Sequence, residues 1–240
     1  MDGLGLSLLA FSEAAIGLIL VALLIAYLPT MYAAFSRRES AVSLLEVRAG
    51  SPPSAAEMIL RFNRIHGLTA LGEQWRIWEI WFADIEESHT SLPPLVFFRS
   101  PMADKSWVTA AGAVLDAAAL TLSVIDIPYD PQGALCIRAG FLALRRISDF
   151  FSVVYNPNPS ATDPISIRRD EFDSVLSELA RKGVPIKPDL EQGWRDFSGW
   201  RVNYDAVLIA LAALTMAPPA QWSSDRASGL VVNVPIWKNR

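Results

Sequence analysis

The run from Leu4 to Phe35 limits what the rest of the chain can be. Its centre, Ala14-Ala15-Ile16-Gly17-Leu18-Ile19-Leu20-Val21-Ala22-Leu23-Leu24-Ile25-Ala26-Tyr27-Leu28-Pro29, contains no charged residue. At 1.5 Å of rise per residue, Ala14 to Phe35 gives about 33 Å of helix, close to the roughly 30 Å hydrocarbon layer of a bilayer. The run therefore predicts a membrane span. A cleaved signal peptide would begin with positive charge and carry an apolar stretch of only about 7–15 residues. Here no Lys or Arg precedes Arg37, Asp2 and Glu13 are acidic, and the run is longer. A buried helix of a soluble protein is the third reading, and length argues against it.

Arg37, Arg38 and Arg48 follow the run, and positive residues are retained on the cytoplasmic side. The expected topology is single-pass in the inner (plasma) membrane, with the N-terminus outside and the large domain in the cytoplasm. Tyr27, Tyr32, Arg37 and Arg38 are the expected membrane-interface anchors, because amphipathic rings and cations settle at the headgroup level. Pro29 removes one helical hydrogen bond and is a candidate bend. Gly17 has two readings, a lipid-facing or packing glycine and a bending point in a gating helix.

The remaining 204 residues suffice for a real hydrophobic core. A net charge of −4 speaks against nucleic acid as a partner, which calls for concentrated positive charge. Cys136 is the single cysteine, so no intrachain disulfide forms, in keeping with a reducing compartment.

Periodicity and punctuation predict a mainly α protein, one N-terminal transmembrane helix followed by an α-helical cytoplasmic domain. The expected divisions are a span over 1–36, a helical domain over 37–154, a linker or long loop over 155–167 and a C-terminal helical part over 168–240. Ser40 is expected to cap a short helix through Arg48, and Ser54 with Glu57 reads as a capping box for a helix from Ala55 to His66. The next helix, Leu68 to Ser88, carries Leu71, Trp75, Trp78, Trp81, Phe82 and Ile85 at spacings of three and four. That stripe is either core packing or an aromatic partner face formed by Trp75, Trp78, Trp81 and Phe82. Leu95 to Phe98 reads as an ordered connection between prolines.

Asp104 is expected to cap a helix over Ser106 to Val124. Its apolar stretch is nearly span-length, but Asp116 at its centre favours a buried position in the domain over a second crossing. A helix over Gln132 to Val153 is expected to turn Leu135, Ala139, Leu142, Ile147 and Phe150 to the core. Tyr155-Asn156-Pro157-Asn158-Pro159 is the clearest linker. Further helices are expected over Asp170–Lys182, after a cap at Asp189, and over Asn203–Met216, with a short strand at Leu230–Val234.

Chemistry-bearing motifs are sparse. His66 and His89 fall at helix ends without a nearby cysteine or a ligand-spaced second histidine, so no metal site and no cofactor are expected. Glu86-Glu87-Ser88-His89 gathers acid, hydroxyl and imidazole, but adjacent helical residues point in different directions. It reads as a polar helix end. Phosphate-binding loops and nucleophile elbows are missing. Asp84, Glu86, Glu87, Asp116 and Asp149 are the acids available to make a catalytic pair; none is assigned a role, and the chain is read as a non-enzyme.

Several phrases resemble bacterial two-transmembrane potassium-channel-like membrane proteins. They are Ile25-Ala26-Tyr27-Leu28-Pro29-Thr30-Met31-Tyr32 with Arg37-Arg38-Glu39; Leu44-Leu45-Glu46-Val47-Arg48-Ala49-Gly50-Ser51-Pro52; Glu87-Ser88-His89 with Phe97-Phe98-Arg99-Ser100-Pro101; and Gly199-Trp200-Arg201-Val202-Asn203-Tyr204. The resemblance implies that Ala14 to Phe35 is an inner helix and Gly17 a bend in it. A potassium filter needs a loop of backbone carbonyls of the Thr-Val-Gly-Tyr-Gly kind, and this chain carries neither that loop nor an outer helix before the span. The resemblance thus implies a channel-like membrane protein that does not conduct alone, whose domain serves assembly or regulation within a homo-oligomer or beside a pore-forming partner. A membrane-tethered interaction or sensor domain is the alternative.

Overall fold

The computed structural model describes residues 2–226. Among these residues the fold is all α: α1 (Asp2–Ala49), α2 (Ala55–Arg64), α3 (Leu71–Ser91), α4 (Trp107–Val124), α5 (Pro131–Phe150), α6 (Arg169–Arg181), α7 (Leu190–Arg201) and α8 (Asp205–Leu214). Short 3-10 turns occupy Leu68–Ala70, Pro93–Phe97 and Ser224–Arg226. The strand expected at Leu230–Val234 lies outside the described residues. A single antiparallel bridge between Ile125 and Ile186 is the one β-type pairing described.

The chain divides into two compact units, one up to Arg37 and one from Arg38 onward. The first is an apolar helical segment with its large side chains directed outward on all sides: Leu4, Phe11, Leu18 and Ile25 are 70–76 % exposed. A helix apolar all round has no face to give to water, so it suits a lipid environment or enclosure by other protein. The helix continues through both Gly17 and Pro29. Beside Pro29, which has no amide hydrogen to donate, the Thr30 hydroxyl donates to the Ala26 carbonyl at 3.3 Å.

The second unit is assembled around α4. Every residue of that helix except Leu122 is buried, which places its apolar stretch inside the helical unit. Helices α2, α5, α7 and α8 pack around it, and α3 lies along α5. The stripe on α3 goes into this core. Trp75, Trp78, Trp81 and Phe82 are 1, 3, 6 and 0 % exposed, and Trp78 meets Trp81 edge-on at 4.6 Å between ring centroids. These four side chains are packing residues, and the partner-face reading is corrected accordingly.

Three local expectations also change. No break separates the apolar run from Ser40–Arg48: with no Gly or Pro between residues 30 and 49, nothing stops the helix, and Ser40 is interior to α1. It ends where Gly50 takes φ 81°, a left-handed conformation that glycine adopts without steric cost. Asp104 accepts a hydrogen bond from Ser51 Oγ at 2.5 Å, and the cap of α4 is Ser106, whose hydroxyl accepts from the Val108 amide at 3.2 Å. Ser54 holds the cap position of α2 without a side-chain cap bond, because its hydroxyl donates to Gln221 while Glu57 pairs with Arg61 at 2.7 Å. The expected cap at Asp189 does form, accepting from the Gln192 amide at 2.9 Å.

Helix α5 buries Ile147 as expected, but Leu135 and Phe150 of the expected core set stay outside. Leu135 and Phe150 are 48 and 55 % exposed, whereas Gly133, Cys136, Gly140, Ala143 and Leu144 are buried. Small residues on that side let α5 approach its neighbours closely; a Cβ on Gly140 would stand 2.5 Å from Leu115 Cδ2 and 3.0 Å from the Phe82 ring. We expect Gly140→Val to lower the unfolding free energy by about 1–3 kcal/mol through overpacking, and Leu135→Gln on the exposed side to change it by less than about 0.5 kcal/mol. Urea titrations of the detergent-solubilised protein followed by circular dichroism check this pair.

Candidate functional site

Two buried charged centres and one cleft hold most of the polar organisation of the helical unit. The first centre is at Arg38, which begins that unit and is 1 % exposed. A cation with so little access to water has to be met by protein acceptors. Its Nε donates to Glu39 Oε1 at 2.9 Å, one terminal nitrogen to the Leu95 carbonyl at 2.8 Å, and the other to the Phe98 carbonyl at 2.6 Å. The same nitrogen that reaches Leu95 lies 3.1 Å from His89 Nε2. Burial pulls the pKa of the guanidinium below its ordinary value, and Glu39 opposes the shift.

Arg38 can only donate, so His89 Nε2 is the acceptor and its proton resides on Nδ1. From there it is donated to Ser88 Oγ at 3.1 Å, and that hydroxyl donates onward to the Asp84 carbonyl at 2.7 Å. Trp107 packs on the imidazole at 5.0 Å between ring centroids. Burial, and then the adjacent Arg38 charge, lowers the His89 pKa from 6.5 to about 3. A neutral imidazole, held by a cation it cannot deprotonate, makes a packing and hydrogen-bonding contact and is unsuited to general-base chemistry near neutrality.

The second centre is Arg201 at the end of α7, with 0 % exposure. It meets both oxygens of Asp116 on α4 at 2.5 and 2.6 Å, Asp205 of α8 at 2.7 Å and the Trp222 carbonyl at 2.6 Å. Tyr204 donates its hydroxyl to Asp116 at 2.8 Å, and Ser166 donates both amide and hydroxyl to Asp205. Burial raises the Asp116 carboxyl above its ordinary value, with Arg201 and Tyr204 opposing the shift, and by itself would lower Arg201. The bidentate contact, with Asp205 beside it, outweighs burial at the arginine and holds its pKa above the ordinary value. We take the cluster as ionised and structural: all three guanidinium nitrogens of Arg201 are engaged, and the side chain is 0 % exposed.

The cleft, of about 430 Å³, is bounded by the start of α3 and the segments around residues 121–130 and 187. Leu68, Leu71, Trp75, Leu122 and Ile127 supply apolar lining, with Thr121, Asp130 and Lys187 as polar groups. The Lys187 ammonium donates to the Leu122 carbonyl at 2.7 Å, and among the described residues it has no carboxylate within ion-pair distance. Asp130 caps α5 through Oδ1, 2.9 Å from the Gln132 amide, and its other oxygen occupies the space a side chain on Gly72 would need. Volume and mixed lining match those of small-molecule pockets.

The residues singled out from sequence disperse. Gly17, Tyr27 and Pro29 lie on the apolar helix, where Tyr27 is 43 % exposed; Tyr32 is 71 % exposed and Arg37 is also exposed. Arg38 is corrected from interface anchor to internal hub, since its guanidinium is spent on the carbonyls of residues 95 and 98. In Glu86-Glu87-Ser88-His89, Glu86 pairs with Arg146, Glu87 accepts from Ser91 at 3.2 Å, and His89 points inward. Asp149 accepts from Tyr155 at 2.9 Å. Among the described residues no group of three or more His, Cys, Asp or Glu side chains is placed to hold a metal ion.

Lys187 and the Arg201 centre escaped the sequence reading. The available signal was Asp116 itself, a carboxylate inside an apolar helix that requires a buried cation, together with the Arg201–Asp205 spacing of four. The fold and its sites define an all-α protein with an N-terminal helix long and apolar enough to cross a membrane. No protein-family model, curated protein or solved structure matches the chain.

Arg201→Met should lower stability by about 3–5 kcal/mol, because it leaves two buried carboxylates without their cation; urea midpoints against the parent protein measure it. A second expectation concerns pH. The His89 pKa is lower in the folded state than in the unfolded one, so the unfolded state takes up the proton first as pH falls below 6.5. Stability is complete above that value and declines toward pH 3, by up to about 1.4 kcal/mol per pH unit from this residue. His89→Gln should flatten the slope between pH 6.5 and 5, and parallel curves for the two proteins would count against the buried neutral imidazole.

Proposed function

We propose that this is a single-pass protein of the inner (plasma) membrane, with the N-terminal side of the span outside and a cytoplasmic helical domain that serves assembly or regulation of a channel-like complex. The observation that carries the membrane part is the helix whose apolar side chains from Leu4 to Leu28 are exposed around its whole circumference. Orientation rests on Arg37 and Arg48 after the apolar run. The channel-like part rests on the resemblance in sequence phrases. With no filter loop among its residues, the chain acts beside a pore-forming partner or as a homo-oligomeric accessory, and does not select ions alone.

A second reading, a membrane-tethered sensor or interaction domain, is favoured by the cleft that holds Lys187 and Asp130. Ion conduction separates the two from a self-sufficient channel. Purified protein in liposomes should show no potassium-selective flux above that of empty vesicles, and selective unitary currents would overturn the accessory role. In cells the protein should stay in the membrane pellet after alkaline carbonate washing, whereas a variant lacking residues 4–30 should be released.

A further inference from the structure

We propose that the segment Phe97 to Met102 is a second, interfacial membrane contact, seating its apolar side chains and Arg99 in the headgroup region of an anionic bilayer. The inference rests on the reading of the N-terminal helix as a membrane anchor. It begins with Arg38. That residue stands three positions in sequence after Phe35, the end of the apolar run. Its guanidinium holds the carbonyls of Leu95 and Phe98 at 2.8 and 2.6 Å, so the segment is fastened to the residue that follows the span.

The segment has the composition that such a position calls for. Phe97 and Met102 are 48 and 57 % exposed, and Met216, across a cleft of about 260 Å³ from them, is 72 % exposed. The patch continues through ring contacts, since Phe97 meets Phe151 at 5.4 Å and Phe151 meets Phe150, itself 55 % exposed, at 5.2 Å. Large exposed apolar side chains gathered in this way mark a contact surface, in contrast to scattered single ones.

Charge decides between lipid and a protein partner as occupant. Arg99 is exposed within the patch and has no carboxylate within ion-pair distance among the described residues. A cation among aromatic and thioether side chains suits the boundary between anionic headgroups and acyl chains, where it is attracted to the negative surface. The occupant is therefore the lipid surface in which the chain is anchored.

The test uses the full chain in nanodiscs of phosphatidylcholine and phosphatidylglycerol at 3:1. An environment-sensitive fluorophore is attached at M102C, with L20C and S177C as references, in a Cys136→Ala background. Position 102 is chosen because M102C leaves the ring contacts of the patch in place, and a native far-ultraviolet spectrum for that variant confirms that folding is retained. Lipids carrying a nitroxide near the headgroup should quench the probe at position 102 at least twofold more than the one at 177, and the probe at 102 should be protected from a water-soluble quencher. Probes at 102 and 177 that are equally open to the aqueous quencher, with the probe at 20 quenched by nitroxide lipids, would overturn the interfacial contact and leave the anchor standing. A probe at 20 that lipid nitroxides do not quench would overturn the anchor and the contact together.

Discussion

The helical domain depends on keeping Arg201 charged and fully coordinated in its interior. One guanidinium joins α4 through Asp116, α8 through Asp205 and the carboxyl-terminal side of the described chain through the Trp222 carbonyl. Two carboxylates flank one cation, so the cluster carries an excess negative charge that Tyr204 and Ser166 stabilise by hydrogen bonds. Such a centre contributes less to net stability than its short distances suggest, because desolvation of three ions opposes the Coulomb attraction. Its larger effect is on specificity: an alternative packing of α4, α7 and α8 would strand a buried charge.

Arg38 plays the corresponding part at the beginning of the domain. It binds the carbonyls of Leu95 and Phe98, fixes the tautomer of His89 and so orders the turn that closes α3. The two centres use arginine because its planar array of donors satisfies several fixed acceptors at once, which a lysine ammonium does less well. Around them the core is closed by small residues as much as by large ones. Gly140 on α5 brings that helix against Phe82 and Leu115, and Gly193 on α7 lies against Val124.

Where a single period dominated, the sequence was legible. The all-α class, the buried stripe on α3 and the burial of α4 follow from apolar spacing and from Asp116. Local chemistry was legible where one residue had one role, as at Asp189 and Gly50. It was obscured where residues had competing partners: Ser54 bonds Gln221, far away in sequence, and Asp104 bonds Ser51. The buried face of α5 was partly hidden because Gly133, Gly140 and Ala143 share it with Ile137, Leu144 and Ile147, and hydrophobic periodicity gives the small residues little weight. Arg38 is the instructive misreading. An arginine after an apolar run has the composition of an interface anchor, and only the fold reveals that two carbonyls some sixty residues away need its donors.

The apolar helix poses the remaining physical demand, since its large side chains are exposed and a bilayer is a solvent that would remove them from water. The most direct measurement is a nitroxide scan of residues 4 to 30 in the reconstituted 240-residue chain, comparing collisions with oxygen and with a polar paramagnetic reagent. Oxygen should prevail continuously along the segment, with its greatest advantage near the middle and no 3.6-residue alternation. Dominance of the polar reagent, or alternation with that period, would contradict a lipid-enclosed span and with it the proposed anchor.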